Sequence, residues 1–142
     1  MSERFKFVIP GRPEHICTVR LAVGSVAAGC GFDVEEIEDI KTATGEACQL
    51  VSCHEMAGYA KEYTVECETE PKKITIKVIN DSHELMEKTN KRCLDCPNEG
   101  EIGKLLIRTL MDSVEVSCEE DRKTIIMTKT GKLRISKNVT NW

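Results

Sequence analysis

The sequence predicts a two-layer α+β sandwich, with helices on one side of a mixed, largely antiparallel sheet. Three observations predict it. Apolar residues recur at every second position in several short runs and at every third or fourth in three longer ones. These segments follow the order strand, two helices, two strands, long polar loop, helix, two strands. Grouped strands and grouped helices, rather than strict alternation, favour segregated layers. Finally, 142 residues with 40% hydrophobic and 31% charged composition suit one domain spanning residues 1–142.

Phe5, Phe7 and Ile9 alternate with Lys6 and Val8 and predict the opening strand, which Pro10-Gly11 ends. Pro13 suits a first helical turn. Ile16, Val19, Val23, Val26, Ala27 and Cys30 follow at helical spacing, and Gly29 and Gly31 mark the stop. The second helix opens on Asp33 and Glu36, spaced as a capping box. Ile37, Ile40, Ala43, Ala47, Leu50, Val51 and His54 make its apolar face, with Gly58 just beyond. Tyr63, Val65, Cys67 and Thr69 alternate, Glu70-Pro71-Lys72 turns the chain, and Ile74, Ile76 and Val78 alternate again, which predicts a hairpin.

From Asp81 to Gly100 the pattern dissolves. The stretch is polar and holds Cys93-Leu94-Asp95-Cys96. A loop of this length is uncommon in a small domain and often serves as a lid or binding loop. Helical spacing returns at Ile102, Leu106, Leu110 and Met111. Val114, Val116 and Cys118 make a strand, Asp121-Arg122 a turn, and Thr124 to Thr128 the partner strand. Leu133 and Ile135 extend an edge, and residues 131–142 form a tail.

Twenty basic and twenty-four acidic residues leave a net charge of -4. That balance argues against broad nucleic-acid binding, which needs a basic face. No apolar run approaches the ~18 residues of a membrane span, and the start, Met1-Ser2-Glu3-Arg4-Phe5, has no apolar signal region. The expectation is a cytoplasmic protein that contacts neither nucleic acid nor membrane directly. Eight cysteines is a high count. Cys17, Cys30 and Cys48 fall in helical segments, and Cys67 and Cys118 in strands. Most therefore read as small buried hydrophobes in a reducing compartment, with no essential disulfide.

Several segments carry a resemblance. Val19-Arg20-Leu21-Ala22, Gly31-Phe32-Asp33, Ile37-Glu38-Asp39-Ile40-Lys41-Thr42-Ala43 and Gly45-Glu46-Ala47-Cys48 resemble the anti-sigma-factor serine kinases. These are small members of the histidine-kinase-like ATPase superfamily, the Bergerat fold. Leu106-Ile107-Arg108-Thr109-Leu110-Met111-Asp112 and Val114-Glu115-Val116 resemble the helix and strand after that family's phosphate loop. The resemblance covers roughly residues 5 to 130.

The resemblance implies a set of site positions. In the family a helix carries a glutamate, the general base, and four residues later an asparagine that binds magnesium. The i, i+4 spacing puts both on one helix face. Here they read Glu46 and Leu50, and Leu50 offers no oxygen to a hard cation. Gln49 is the nearest polar neighbour. The family's adenine-binding aspartate and its two following glycines read Asn80, Ser82 and Glu84. The phosphate loop reads Gly100-Glu101-Ile102-Gly103-Lys104, keeping one expected glycine, Gly103, and offering Lys104 to a phosphate. The late glycine–threonine pair reads Lys123-Thr124. The resemblance thus points to Glu46 as catalytic base and to Asn80, Gly103, Lys104 and Thr124 as nucleotide contacts. Residues 81–100 would form a lid over a groove beside Glu46. The degraded motifs weaken the case for ATP and argue against magnesium at its usual place.

The implied function is that of a regulator which binds a sigma factor or an anti-anti-sigma protein as a homodimer, with ATP-dependent serine kinase activity lost or weak. Two alternatives stand beside it. One is an active ATP-dependent protein serine kinase. The other is a thiol or zinc sensor acting through Cys93 and Cys96, with Cys53-His54 as the natural complement.

Overall fold

The computed structural model describes residues 2–52, 59–80, 85–87, 100–119 and 122–131. Strand β1 runs Glu3–Pro10. A 3-10 turn, Pro13–His15, leads into α1, Ile16–Gly29. Helix α2 is Val34–Ser52. Then come β2, Tyr59–Ala60, β3, Glu62–Glu70, and β4, Lys73–Asn80. Strand β5 is Leu85–Glu87, α3 is Gly100–Leu110, β6 is Ser113–Glu119 and β7 is Arg122–Thr130.

Five strands form one sheet in the order β1-β3-β4-β7-β6, and every neighbouring pair is antiparallel. Strand alternation decides what the sheet buries. Tyr63, Val65 and Cys67 of β3, Ile74, Ile76 and Val78 of β4, and Ile125 and Met127 of β7 point into one core. Val19, Val23 and Ala27 of α1, Ile40, Ala43, Ala47, Cys48 and Val51 of α2, and Ile107 of α3 meet them there. This is the two-layer sandwich that the period changes predicted.

Local chemistry sets the helix positions. Asp33 and Glu36 form the predicted capping box: Asp33 N–H donates to Glu36 Oε1 at 2.9 Å, and Glu36 N–H donates to Asp33 Oδ1 at 2.8 Å. The α1–α2 contact is close because each helix offers a glycine to the other. A Cβ on Gly24 would lie 2.8 Å from Lys41 Cδ, and one on Gly45 would lie 3.1 Å from Arg20 Cδ. The far end of α3 is held by Lys129, whose Nζ donates to the Leu110 carbonyl at 2.6 Å and lies 3.7 Å from Asp39 Oδ2.

The predicted β3–β4 hairpin turns at Lys72, whose φ of 56° is left-handed. Both its backbone groups are used: its N–H donates to the Cys30 carbonyl at 2.8 Å, and its carbonyl accepts from Gly131 N–H at 2.7 Å. Those bonds tie the α1–α2 connection, the hairpin and the end of β7 together, and they offset the strain of the backbone.

Three expectations need correction or stand apart. Leu85–Glu87 falls in the predicted polar loop, yet it pairs antiparallel with Tyr59–Ala60 as a second, two-stranded sheet. Cys17 was read with the buried thiols but is exposed, while Cys48 and Cys67 are buried and Cys30 is intermediate. The rest of the proposed lid, the 132–142 part of the tail, Cys53-His54 and Cys93 with Cys96 lie outside the described residues.

Burial pushes the Cys48 and Cys67 thiols up to about 12. The Tyr63 phenol is also raised, chiefly by burial; its hydroxyl lies beside Cys48 without a hydrogen bond of ordinary geometry. The thiolate is the reactive form. In native protein at pH 8, Cys48 and Cys67 should therefore resist alkylation while exposed Cys17 reacts readily, and unfolding should expose all three to the reagent. Peptide mapping by mass spectrometry after iodoacetamide treatment checks this. Rapid native labelling of Cys48 would contradict the packing described.

Candidate functional site

The C-terminal half of α2 is where the implied site residues meet. Glu46 and Leu50 stand one turn apart and share the side of α2 that faces α3. The two helices meet at Gly103, the fourth residue of α3 and a buried one. A Cβ built on Gly103 would sit 3.3 Å from Glu46 Oε2, 3.5 Å from Leu50 Cδ1 and 3.6 Å from Leu50 Cγ. Glycine here lets the first turns of α3 lie directly on α2. A Cβ here would press slightly on the Glu46 carboxylate and make ordinary contact with Leu50.

Asn80 ends β4 on the helix side of the sheet and is 3% exposed. Its Nδ2 donates to the Val51 carbonyl at 3.0 Å. Val51 lies in the last described turn of α2, and the bond ties that turn to the neighbouring strand. An aspartate in the same place has no proton to donate when ionised.

The structure thus brings Glu46, Leu50 and Gly103 together where α3 meets α2, and bonds Asn80 separately to Val51 near the end of α2. Lys104 follows Gly103 in α3 and is half-buried. Thr124 is separated from the group. It pairs with Ile79, so both point away from the helices; Lys123, which pairs with Asn80, is the residue on the helix side. Ile125, one position on, belongs to the core. The sequence signal was ambiguous because Thr124, Ile125 and Ile126 offer no alternation, and only the buried Ile125 and Met127 fix the register.

The donor set can be tested against magnesium. A hard cation takes several oxygens. Leu50 presents carbon, Gly103 presents its backbone, and Glu46 alone supplies a carboxylate among the residues meeting at this point. Among the described residues no group of three or more His, Cys, Asp or Glu is placed to hold a metal ion. Leu50, at the position where the family has its metal ligand, offers no oxygen to a hard cation.

Comparison with known proteins extends this picture. The family model described as the histidine kinase-like ATPase domain matches residues 9–129. The serine-protein kinase RsbW of Bacillus cereus (strain ATCC 10987 / NRS 248) is 32% identical to this chain, over 91% of it and 88% of that protein. The serine-protein kinase RsbW of Listeria innocua is 30% identical over the same shares. No helix among the described residues is long and apolar enough to cross a membrane.

Proposed function

The chain belongs to the histidine kinase-like ATPase family, within its anti-sigma-factor serine kinases and with their Bergerat-type α+β fold, and from that premise we propose a regulator that works by binding rather than by phosphoryl transfer. Its partner would be a sigma factor or an anti-anti-sigma protein, and its working form a homodimer in the cytoplasm. Kinase activity would be absent or very weak.

One observation carries this reading: Leu50 and Gly103 pack together beside Glu46. Phosphoryl transfer depends on positioning and on charge neutralised by metal ions that bridge the phosphates. With a leucine at the metal position, Glu46 is left as a base with no electrophile beside it. Asn80, Gly103 and Lys104 remain as contacts for a weakly held nucleotide. Thr124 would take part only if its strand turned over, since its side chain leaves the opposite face.

Calorimetric titration with ATP tests the cofactor part of this reading. We expect weak binding or none, with magnesium changing the apparent Kd by less than about threefold, or ~0.7 kcal/mol. Tight binding that requires magnesium would restore the active-kinase alternative.

A second reading has one structural observation in its favour. The Tyr59–Glu87 pair starts two chain segments from neighbouring points. In the sequence Cys53 stands six residues before Tyr59 and Cys93 six after Glu87. With His54 and Cys96 they make a zinc-type donor set. Elemental analysis of protein purified without chelator decides it: stoichiometric zinc supports the sensor, and its absence removes it.

A further inference from the structure

We propose that Lys123 sets the base preference of this chain, turning the base end of its nucleotide position from adenine to a 6-oxopurine such as guanine. The inference rests on the reading above, in which a nucleotide is held weakly beside Asn80, Gly103 and Lys104, and names the base.

Strand register brings the deciding residues together. Asn80 closes β4 and pairs with Lys123 of β7. Directly opposite residues on antiparallel strands hold their Cβ atoms about 5 Å apart, on one face of the sheet. That face is the helix side, because Val78 and Ile125, two residues further along each strand, pair with each other inside the core. A base that reaches Asn80 from the helix side therefore meets Lys123 as well. Thr124, the next residue, pairs with Ile79 on the opposite face and cannot serve that base.

The two side chains differ in what they have to offer. Asn80 is 3% exposed, and its Nδ2 donates to the Val51 carbonyl at 3.0 Å. Lys123 is half-buried and so the more accessible of the pair. Its ammonium group has three donors and no acceptor.

Adenine is poorly served by this arrangement. An asparagine reads adenine with both ends of its amide: the oxygen accepts from the exocyclic amino group, and the nitrogen donates to the adjoining ring nitrogen. With Nδ2 committed to Val51, that pair closes only if the Val51 carbonyl loses its donor. The adenine amino group is itself a donor, so an ammonium beside it sets donor against donor. Guanine reverses the match. It carries an oxygen where adenine has the amino group, and that oxygen and the adjoining ring nitrogen are the two acceptors a lysine reads. The carboxylate at the family's position accepts from an amino group; Lys123 beside a committed Asn80 donates to an oxo group.

Equilibrium dialysis of the full chain against radiolabelled guanosine diphosphate and adenosine diphosphate, both without magnesium, compares the bases alone. The guanine nucleotide should bind about five- to hundredfold tighter. Inosine diphosphate, which keeps the 6-oxo group and lacks the 2-amino group, should compete as well as the guanine nucleotide. Lys123→Met should bring the preference below about twofold, and Lys123→Arg, which reads the same two acceptors, should keep it. Circular-dichroism melts check that each variant folds; if the methionine variant fails, the inosine competition and the arginine variant decide. An adenine nucleotide bound as tightly as the guanine one overturns the proposal and leaves the weak-nucleotide reading standing. A guanine preference that inosine does not share, or that survives Lys123→Met, overturns the role of Lys123. Binding of neither diphosphate overturns the proposal together with the nucleotide contacts. Association with the anti-anti-sigma partner, measured separately without nucleotide, shows whether the regulator reading survives.

Discussion

Gly11→Ala is expected to cost roughly 3 kcal/mol or more of unfolding free energy, at the upper end of what forced overpacking does. The added Cβ would lie 1.6 Å from the Ala60 carbonyl oxygen and 2.7 Å from its carbon. Both are backbone atoms, so no side-chain rotation relieves the clash. Gly11 is also buried and its N–H bonds to Lys61. The end of β1, β2 and the start of β3 would have to separate. Urea unfolding followed by circular dichroism measures the loss, and a change below about 1 kcal/mol would show that β2 does not sit where the structure has it. Gly29 is the internal control, since a Cβ there meets nothing within 4 Å. Gly29→Ala, within a helix, should be neutral or stabilise by up to about 1 kcal/mol.

Asn80→Asp is the second large effect, and it bears on function. The family uses an aspartate at this position, so the substitution restores the family residue. Here it also removes the donor to the Val51 carbonyl and buries a carboxylate against that oxygen. We expect a loss of about 3 kcal/mol at pH 7, because the Val51 carbonyl loses its donor and a carboxylate is buried, with Lys123 at the paired position of β7 offsetting part of that charge. Burial raises a carboxyl pKa above its unfolded value. An acid with a raised folded pKa binds its proton more tightly when folded, so the defect is relieved below about pH 4 and grows as pH rises through the folded pKa. Below that pKa the protonated carboxyl regains an O–H to donate to Val51. Asn80→Ala, which removes the bond and adds no charge, should cost about 1–3 kcal/mol with no such pH dependence. Urea titrations of the three proteins at pH 4 and pH 7 give the comparison. If Asn80→Asp is as stable as the parent and binds ATP more tightly, the stabilising role assigned to the Asn80–Val51 bond is wrong.

The sequence was informative where the deciding interactions are local. Asp33 and Glu36 bond to each other across three residues, and the capping box they predicted is formed. The β3–β4 hairpin and the core faces of α1 and α2 follow from periods of two and 3.6, which need no tertiary knowledge. Glu46 and Leu50 shared a helix face for the same reason. What the sequence hid depends on contacts between distant segments. Gly11 looked like a strand terminator, and its close approach to Ala60 appears only when β2 is in place. Leu85–Glu87 became a strand because Tyr59–Ala60 offered it an edge, although three residues carry too little pattern to read. Cys17 sits at helical spacing on the solvent side of α1, where composition alone cannot place it. Thr124 was a register question, since two apolar residues follow it and only burial shows that Ile125 is the inward one.

The proposal that this chain regulates by binding and not by transfer is tested most directly on its partner's serine. The protein is incubated with radiolabelled ATP, magnesium and the cognate anti-anti-sigma protein, and phosphate on the partner is counted over time. The account predicts little label, because Leu50 stands where a magnesium ligand is needed and Gly103 draws α3 onto Glu46. Leu50→Asn in the same assay shows whether the missing oxygen is the limiting feature. Stoichiometric labelling of the serine within minutes by the parent protein, abolished by Glu46→Ala, would contradict the account and establish an active kinase.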